Sequence, residues 1–451
     1  MKWLSPALSR VLDLADPGVW GPEDKDIGVS VLRSTNFNND GTLDLENLSL
    51  RNVPARKLPE KLLMPGDIVL ERSGGGPKQP VGRVCYFTGS TQPHSFGNFC
   101  QRLRAHSRCC DSKYLFWHLY WLHQSGKTSH LQKQTHGIRN LEYRRYLAQD
   151  VPLPPPSEQR RIVEILDQAD ALRKKRAEAD AKAARILPAL FYKMFGDPLT
   201  NPKGWPVVRL DDLGTPLSGG GFPLDEQGLT EGEVAFVKVS DMNTPGNEVF
   251  IRSANHWVSK ETLRRLRVKP APAGTTIFPK IGAAVATNKK RLLVRETAYD
   301  NNVIGVIPVT PEWSTYIFAF FLMFDLRRLT RTTALPSIKT SELVALPMAK
   351  PDSGIVQAFD KQFRQLLSLG DLERRSSEHV NSLFHVLLHR TFTGDLTAKW
   401  REAHMKGLLA EMEAQARELK IDDCRSPIEL PASANGTALT TRRPHRSERT
   451  G

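Results

Sequence analysis

At Leu153 the chain changes its rhythm: in LPPPSEQRRIVEILDQADAL three prolines open directly onto a charged, helix-favouring run. Proline disfavours the helical region for its predecessor and is tolerated at a helix entrance, so Pro154 to Pro156 should hold an extended approach while Ser157 caps a helix. Beyond it Ile165, Ala169, Leu172, Arg176, Ala179, Ala183, Ile186 and Leu190 recur at alternating spacings of four and three, all but one apolar. That spacing predicts a coiled-coil seam with charged flanks facing water. About 38 helical residues rising 1.5 Å each make a rod of roughly 55 Å, too long to stand alone in water. A partner is available in Ile355, Phe359, Phe363, Leu366, Leu369, Val380, Leu383 and Leu387, with looser spacing. Pro188 should kink or end the first rod near its last turn.

The hydrophobic pattern also repeats. VLRSTNFN (Val31 to Asn38) lines up with FVKVSDMN (Phe236 to Asn243), and PGDIVLERSG (Pro65 to Gly74) with PAGTTIFPKIG (Pro272 to Gly282), which sets Arg72 opposite Lys280. YLFWHLYWL from Tyr114 matches YIFAFFLMF from Tyr316, both apolar enough for buried helices. GIRN (Gly137 to Asn140) parallels SIKT (Ser337 to Thr340), which sets Arg139 opposite Lys339. LPPPSEQRRIVEILDQ parallels LPMAKPDSGIVQAFDK from Leu346, and MFGDPLT (Met194 to Thr200) parallels TFTGDLT (Thr391 to Thr397). A period near 200 residues kept in order implies two copies of one unit, each a mixed α/β domain followed by a long helix. If the two rods pair antiparallel, the domains stand at opposite ends, a few tens of ångströms apart, of the order of a DNA turn.

At 451 residues two or more domains are the default, and 40% apolar with 25% charged residues is ordinary globular composition. No apolar stretch reaches the roughly 18 residues of a membrane span, and MKWLSPALSRVLDLADPG lacks a signal-peptide core; the expectation is a cytoplasmic protein with no membrane partner. Five cysteines at irregular spacing argue for reduced thiols. His94, Cys100, His106, Cys109, Cys110 and His118 crowd together and could supply zinc ligands, although no pair has the usual spacing, and no metal site is assigned. The formal charge of +14 favours a polyanionic partner, nucleic acid being the commonest.

LPPPSEQRRIVEILD, LFYKMFGDPLTNPKGWPVVRLDDL and HRTFTGDLTAKWRE, with the two-unit layout, resemble the specificity (S) subunit of type I restriction-modification systems over about Trp3 to Glu402. The resemblance implies an α+β fold in which two pseudo-symmetric mixed α/β target recognition domains are separated by two long helices pairing as an antiparallel coiled coil. The implied domains are residues 1–155 and 201–350 for the recognition domains and 156–200 and 351–400 for the long helices; the extension after Lys420 is a departure from the family, and 401–451 are expected, the tail by its composition, to be a helical extension and disordered basic tail. It implies a non-catalytic subunit that binds double-stranded DNA with a bipartite target. Two modification subunits using S-adenosylmethionine would dock on the helices, and restriction subunits would bring ATP and Mg2+; this chain itself would bind no cofactor. LPMAKPDSG departs from the pattern in lacking a Glu-Gln pair.

No catalytic constellation accompanies these features. SGKTS at Ser125 has Trp121 where a phosphate-binding loop needs its first glycine, and Asn201 is followed by one proline and Lys203 rather than an adenine-methylation motif. The glycine runs at Ser73 to Pro77 and Ser218 to Phe222 are expected to be turns. DNA reading needs cations for phosphates and guanine, and amides for adenine. In the first head the candidates are Asn36, Asn38, Asn39, Arg72, Lys78, Gln79, Lys133, Gln134, His136 and Arg139. In the second they are Lys238, Asn243, Lys280, Asn288, Lys289, Lys290, Arg291, Arg331 and Lys339. The competing readings are a single-chain methyltransferase or nuclease, which needs a cofactor or metal site, and a coiled-coil scaffold with non-specific DNA affinity.

Overall fold

The computed structural model describes residues 2–26, 28–76, 79–135, 138–330 and 336–421. The chain forms two compact units, one running to Leu172 and resuming at Asn381, the other Arg173–Val380.

In the first unit β1 (Leu12–Pro17), β2 (Val29–Leu32), β3 (Ser49–Arg51), α1 (Leu58–Lys61), β4 (Ile68–Glu71), β5 (Ser73–Gly75), β6 (Val84–Tyr86), β7 (His94–Phe96) and β8 (Cys100–Ala105) lead into α2 (Ser112–Gln124). β9 (Gln132–Thr135), β10 (Ile138–Leu141) and α3 (Tyr143–Leu147) complete the head. The strands make an antiparallel sheet β1-β8-β4-β6, a second sheet β3-β2-β7 in which β2 and β7 run parallel, and a small sheet β5-β10-β9. Asp111 caps α2 through the backbone N–H groups of Lys113 and Tyr114, and every residue from Tyr114 to Leu122 is buried. That all-round burial is why YLFWHLYWL shows no polar face.

The long helix α4 (Pro156–Ala183) leads to α5 (Ile186–Phe195), β11 (Val207–Arg209), β12 (Gly214–Ser218), β13 (Val234–Val237), β14 (Phe250–Ile251), β15 (Trp257–Val258) and α6 (Lys260–Leu266). Then come β16 (Thr276–Pro279), β17 (Arg291–Leu293), β18 (Thr297–Tyr299), β19 (Val303–Pro308), α7 (Trp313–Met323), α8 (Thr340–Val344), β20 (Pro347–Ala349) and the 40-residue α9 (Ser353–Phe392). Back in the first unit, α10 (Ala398–Ala403) precedes α11 (Met405–Glu418). The second head repeats the first: β12-β19-β16-β17 matches β1-β8-β4-β6, with β14 added at its edge, and β15-β13-β18 matches β3-β2-β7 down to one antiparallel and one parallel pairing.

Hydrogen bonds fix the register of the repeat. The Arg72 backbone N–H donates to Phe99 O and the Arg72 carbonyl accepts from Leu141; Lys280 does the same with Asn302 and Ile338. Arg72 and Lys280 are therefore equivalent, as the sequence alignment has them. The alignment of GIRN with SIKT is corrected: Leu141 matches Ile338, so Arg139 is three residues out of step with Lys339, and Lys339 corresponds to Glu142, each preceding a short helix. The LP dipeptides are likewise displaced. Tyr114 Oη donates to Pro152 O and Tyr316 Oη to Ala349 O, and α4 and α9 begin at 156 and 353, so the structural offset is 197 rather than the 193 of the LP match. The same offset pairs buried Ile162 with Phe359 and Leu166 with Phe363.

In the second unit the long helices run antiparallel: Arg176 Nε donates to Ser377 Oγ at 3.2 Å, while Phe191 and Phe195 pack on Phe359 with ring centroids 6.1 and 5.0 Å apart. The seam differs from the predicted one by about one position. Ile162, Leu166 and Asp170 are buried on α4, whereas Leu172 and Ile186 are 64% and 48% exposed. On α9 the buried apolar set is Val356, Phe359, Phe363, Phe384, Leu388 and Phe392, which keeps the expected Phe359 and Phe363, whereas Leu369 and Leu383 are exposed. The first rod breaks at Ala184–Arg185, and Pro188 sits in the first turn of α5, where a missing N–H costs no helical bond.

The motif residues are structural. Glu158, fully buried, accepts from Thr397 Oγ1 (2.6 Å), Arg401 Nε (2.8 Å) and Trp3 Nε1 (3.0 Å). Gln159 Nε2 donates to Pro154 O (2.7 Å) and Cys109 O (2.9 Å), and Gln415 Nε2 on α11 reaches the same two carbonyls. Within the proline run Pro155 O takes the Gln159 backbone N–H at 3.0 Å, and the two amides supply the donors for Pro154 O.

Candidate nucleic-acid interface

In the first head β4 ends at Arg72 and passes through the glycine turn into β5, beside β10 and β9. Arg139 lies in register with Gly75 on one side and Gln134 on the other, and Asn140 opposite Lys133. Lys133, Gln134 and Arg72 are exposed and Arg139 half-buried, so the small sheet gathers four of the predicted residues onto one region. Lys133 pairs with Glu142, and hydrogen bonds from Lys133 and Arg145 hold the Glu142 carboxyl below the usual carboxylate range.

Beside this sheet is an open cleft of about 490 Å³, lined by Ser34, Asn38, Asn39, Gly74, Gln79 and Arg83 among others. Its floor is a bidentate pair: Arg83 Nε and Nη2 each lie 2.9 Å from the Glu71 carboxylate, and the same guanidinium donates to Phe37 O and Ser34 O. Arg83 is thus committed to holding the cleft's walls. Asn38 and Gln79 are exposed at the rim. Gly74 is set by its φ of +105° rather than by crowding: a Cβ there would be in ordinary contact with Ser34 Oγ at 3.5 Å and Phe99 Cδ2 at 3.6 Å.

Asn36 is a correction. It is buried at 2% exposure, and its Oδ1 accepts from the Arg33 backbone N–H, closing a single helical turn; Asp241 does the same for Lys238 in the second head. Lys78, His136 and Arg331 lie outside the described residues.

In the second head Lys280 Nζ donates to Ser218 Oγ at 3.1 Å, and Ser218 sits 3.4 Å from Thr340 Oγ1, next to exposed Lys339. Lys238 Nζ donates to Gln227 and Lys289 Nζ to Asn243 Oδ1. The run NKKR is largely internal, against expectation. Asn288 holds a left-handed turn with its Oδ1 on the Leu326 N–H. Lys290 is buried with Nζ on Phe324 O at 2.8 Å, and Arg291 donates to Met242 O and Lys290 O. These three side chains complete their own fold rather than face a ligand.

The histidines and cysteines that crowd in sequence are separated by roles. His118 packs against Trp121 and Phe392, and burial lowers its pKa to about 3. Burial pushes the Cys100 thiol up to about 12. His106 bridges Asp13 at 2.6 Å and Glu418 at 3.2 Å, fastening α11 to the head. Among the described residues no group of three or more His, Cys, Asp or Glu is placed to hold a metal, and no helix is long and apolar enough to cross a membrane.

Two turns escape the sequence reading. Gly97–Cys100 and Asp300–Val303 are equivalent tight turns, closed by Cys100 N to Gly97 O and Val303 N to Asp300 O, and their central residues Asn98, Phe99, Asn301 and Asn302 are exposed beside Arg72 and Lys280. The signal available was the match of GNFC with DNNV.

Fold and site together define a duplicated α+β protein presenting cations and amides at equivalent strand ends in each copy. Residues 26–180 match the type I restriction modification DNA specificity domain. The type I restriction enzyme MjaIX specificity subunit of Methanocaldococcus jannaschii is 24% identical over 228 residues, covering 47% of this chain and 52% of that one. The alignment thus spans about half the length of this curated relative. A chain from a structure describing complex assembly and conformational transition of a type I R-M system matches with a TM-score of 0.54 at 16% identity, covering 88% of this chain and 98% of its own. The S subunit from M. genitalium matches with a TM-score of 0.51 at 14% identity, covering 86% and 96%. These two likenesses bear on the fold.

Proposed function

We propose that the chain acts in the cytoplasm as the non-catalytic DNA-specificity subunit of a type I restriction-modification complex, each head reading one half of a bipartite double-stranded target. The observation that carries the reading is the equivalence of Arg72 and Lys280, two exposed or half-exposed cations at the same strand end of two copies of one head. Cations at matched positions suit guanine edges or phosphates in two half-sites. In the first head Arg72 is joined by Lys133, Gln134, Arg139, Asn38 and Gln79; in the second Lys280 is joined by Lys339 and Lys238. The long helices would dock two modification subunits, which methylate adenine with S-adenosylmethionine, and restriction subunits using ATP and Mg2+. Exposed Leu369 and Leu372 on α9, at 54% and 62%, are apolar surface of the kind such docking covers.

The test is a genome-wide map of methylated adenine before and after deletion of this chain's gene. Loss of methylation at one motif made of two short specific parts around a fixed unspecified gap is the expected result. An unchanged map, or loss at an uninterrupted motif, rejects the reading.

A further inference from the structure

We propose that the Asn98–Phe99 turn is a base-reading element of the first head and that the Phe99 ring receives the 5-methyl group of a thymine in its half-site. The inference rests on the specificity reading above and adds a residue and a chemical group to it.

The centre of a tight turn is ordinarily polar, because its side chains face water. Here the second central residue is a phenylalanine, 48% exposed, standing between β7 and β8. Its carbonyl accepts the Arg72 backbone N–H at 2.8 Å and the Ser73 N–H at 3.2 Å, so the ring is anchored to the strand end that carries the first head's principal cation. Its Cδ2 would lie 3.6 Å from a Cβ at Gly74, which lines the cleft with Ser34 and Gln79. The ring therefore stands beside a cleft whose other exposed side chains are the Thr35 hydroxyl and the amides of Asn38, Asn39 and Gln79. An isolated exposed apolar residue needs no explanation by itself. What singles this one out is the other copy, where the same position is Asn302, tied through Nδ2 to Asp300 at 3.0 Å, while its carbonyl accepts the Lys280 N–H at 2.7 Å. The backbone of the turn is kept, the preceding residue is asparagine in both heads (Asn98 and Asn301), and the second side chain changes from aromatic to amide. A framework held constant with its tip exchanged is what two heads reading different bases require. In the major groove the apolar feature on offer to a ring is the thymine methyl, and burying one methyl accounts for a few-fold in affinity.

The experiment uses the full chain with its modification subunits and a target selected from a random duplex library, the first head's half-site being the one relaxed by Arg72→Ala. Each thymine of that half-site is replaced in turn by deoxyuridine, which removes only the methyl. The expected result is one position where deoxyuridine weakens binding about fourfold. Phe99→Ala should bind thymine and uracil there equally, Phe99→Leu should keep part of the discrimination, and Phe99→Asn should favour a different base at that position. A half-site with no thymine sensitive to its methyl, a methyl effect that survives in Phe99→Ala, or a uniform loss in Phe99→Ala that ignores the methyl, as stacking on an unpaired base would give, overturns the proposal. Selection of no motif at all would reject the specificity reading itself, which keeps the two failures apart.

Discussion

Arg401 Nε donates to Glu158 Oε1 at 2.8 Å across 243 positions of sequence, with the carboxylate fully buried and the guanidinium nearly so. The pair fastens the start of α4 to α10, and it is why SEQRR and AKWRE both look like signatures although each serves the other's packing. Removing one partner of a buried pair strands the other, at a cost of about 3–5 kcal/mol. Arg401→Ala should therefore lower the unfolding free energy of the first unit by that order, leaving Glu158 with only Thr397 and Trp3. Glu158→Gln should cost less, because the neutral amide needs no counter-charge. Urea unfolding read by tryptophan fluorescence distinguishes them; equal stability of wild type and Arg401→Ala would contradict the account.

A different signature is expected at the heads. Arg72→Ala and Lys280→Ala should each weaken binding to one half-site by about 1–3 kcal/mol, or about 5- to 150-fold, with thermal stability nearly unchanged. If the lost contact is to a phosphate, the slope of log affinity against log salt should fall by about one and the loss should be the same on all sequences. Competition binding at several salt concentrations, with both half-sites varied separately, reads out which. A variant that weakened both half-sites equally would break the assignment of one cation to each head.

Much of the fold was legible because the repeat preserves the features a short window shows: the turn, the buried strand and the basic residue of PGDIVLERSG and PAGTTIFPKIG reappear as β4 with Arg72 and β16 with Lys280. The seam was less so. Ile165 and Leu166 are adjacent and both apolar, so spacing alone admits either phase, and the core that buries Leu166 is assembled from distant sequence, Trp117 and Phe384 among its members. The site was read worst where charge was taken to mean exposure. NKKR looks like a solvated run, yet the Lys290 stem is buried and its ammonium finds a carbonyl, an outcome that depends on Phe324 lying 34 positions away. Conversely Phe99 looks like a core residue by type, and only its place at the centre of a turn puts it at the surface.

Acid should destabilise the first unit through His118. Burial in an aromatic pocket holds its pKa down to about 3, against about 6.5 when unfolded. Between those values the unfolded chain takes up a proton that the folded chain refuses, so stability is fully present above about pH 6.5 and is lost as pH falls toward 3. At pH 4.5 the loss from this group is about 2–3 kcal/mol. His118→Phe, which keeps an aromatic ring beside Trp121 and Phe392, should remove that share of the acid dependence. Urea midpoints at pH 7 and pH 4.5 for both proteins test it; parallel losses would mean that His118 is protonated within the fold.

The second unit should show the opposite limb. Burial lowers the Lys290 pKa to about 8 from the usual 10.5, with nearby Asp325 pulling weakly the other way. Below pH 8 both folded and unfolded chains carry the charge and the folded one bears the full cost of burying it. Between about 8 and 10.5 the folded protein has released its proton while the unfolded chain still holds one, so this group's contribution to stability rises with pH. Lys290→Met retains the stem and discards the ammonium. The difference in unfolding free energy, wild type minus Lys290→Met, should therefore increase in favour of wild type by about 2–3 kcal/mol between pH 7 and pH 10. Comparing the two proteins at each pH cancels the other lysines and tyrosines that titrate in that range. A difference that stayed flat would place the ammonium in water, and would return Lys290 to the set of side chains free to meet DNA.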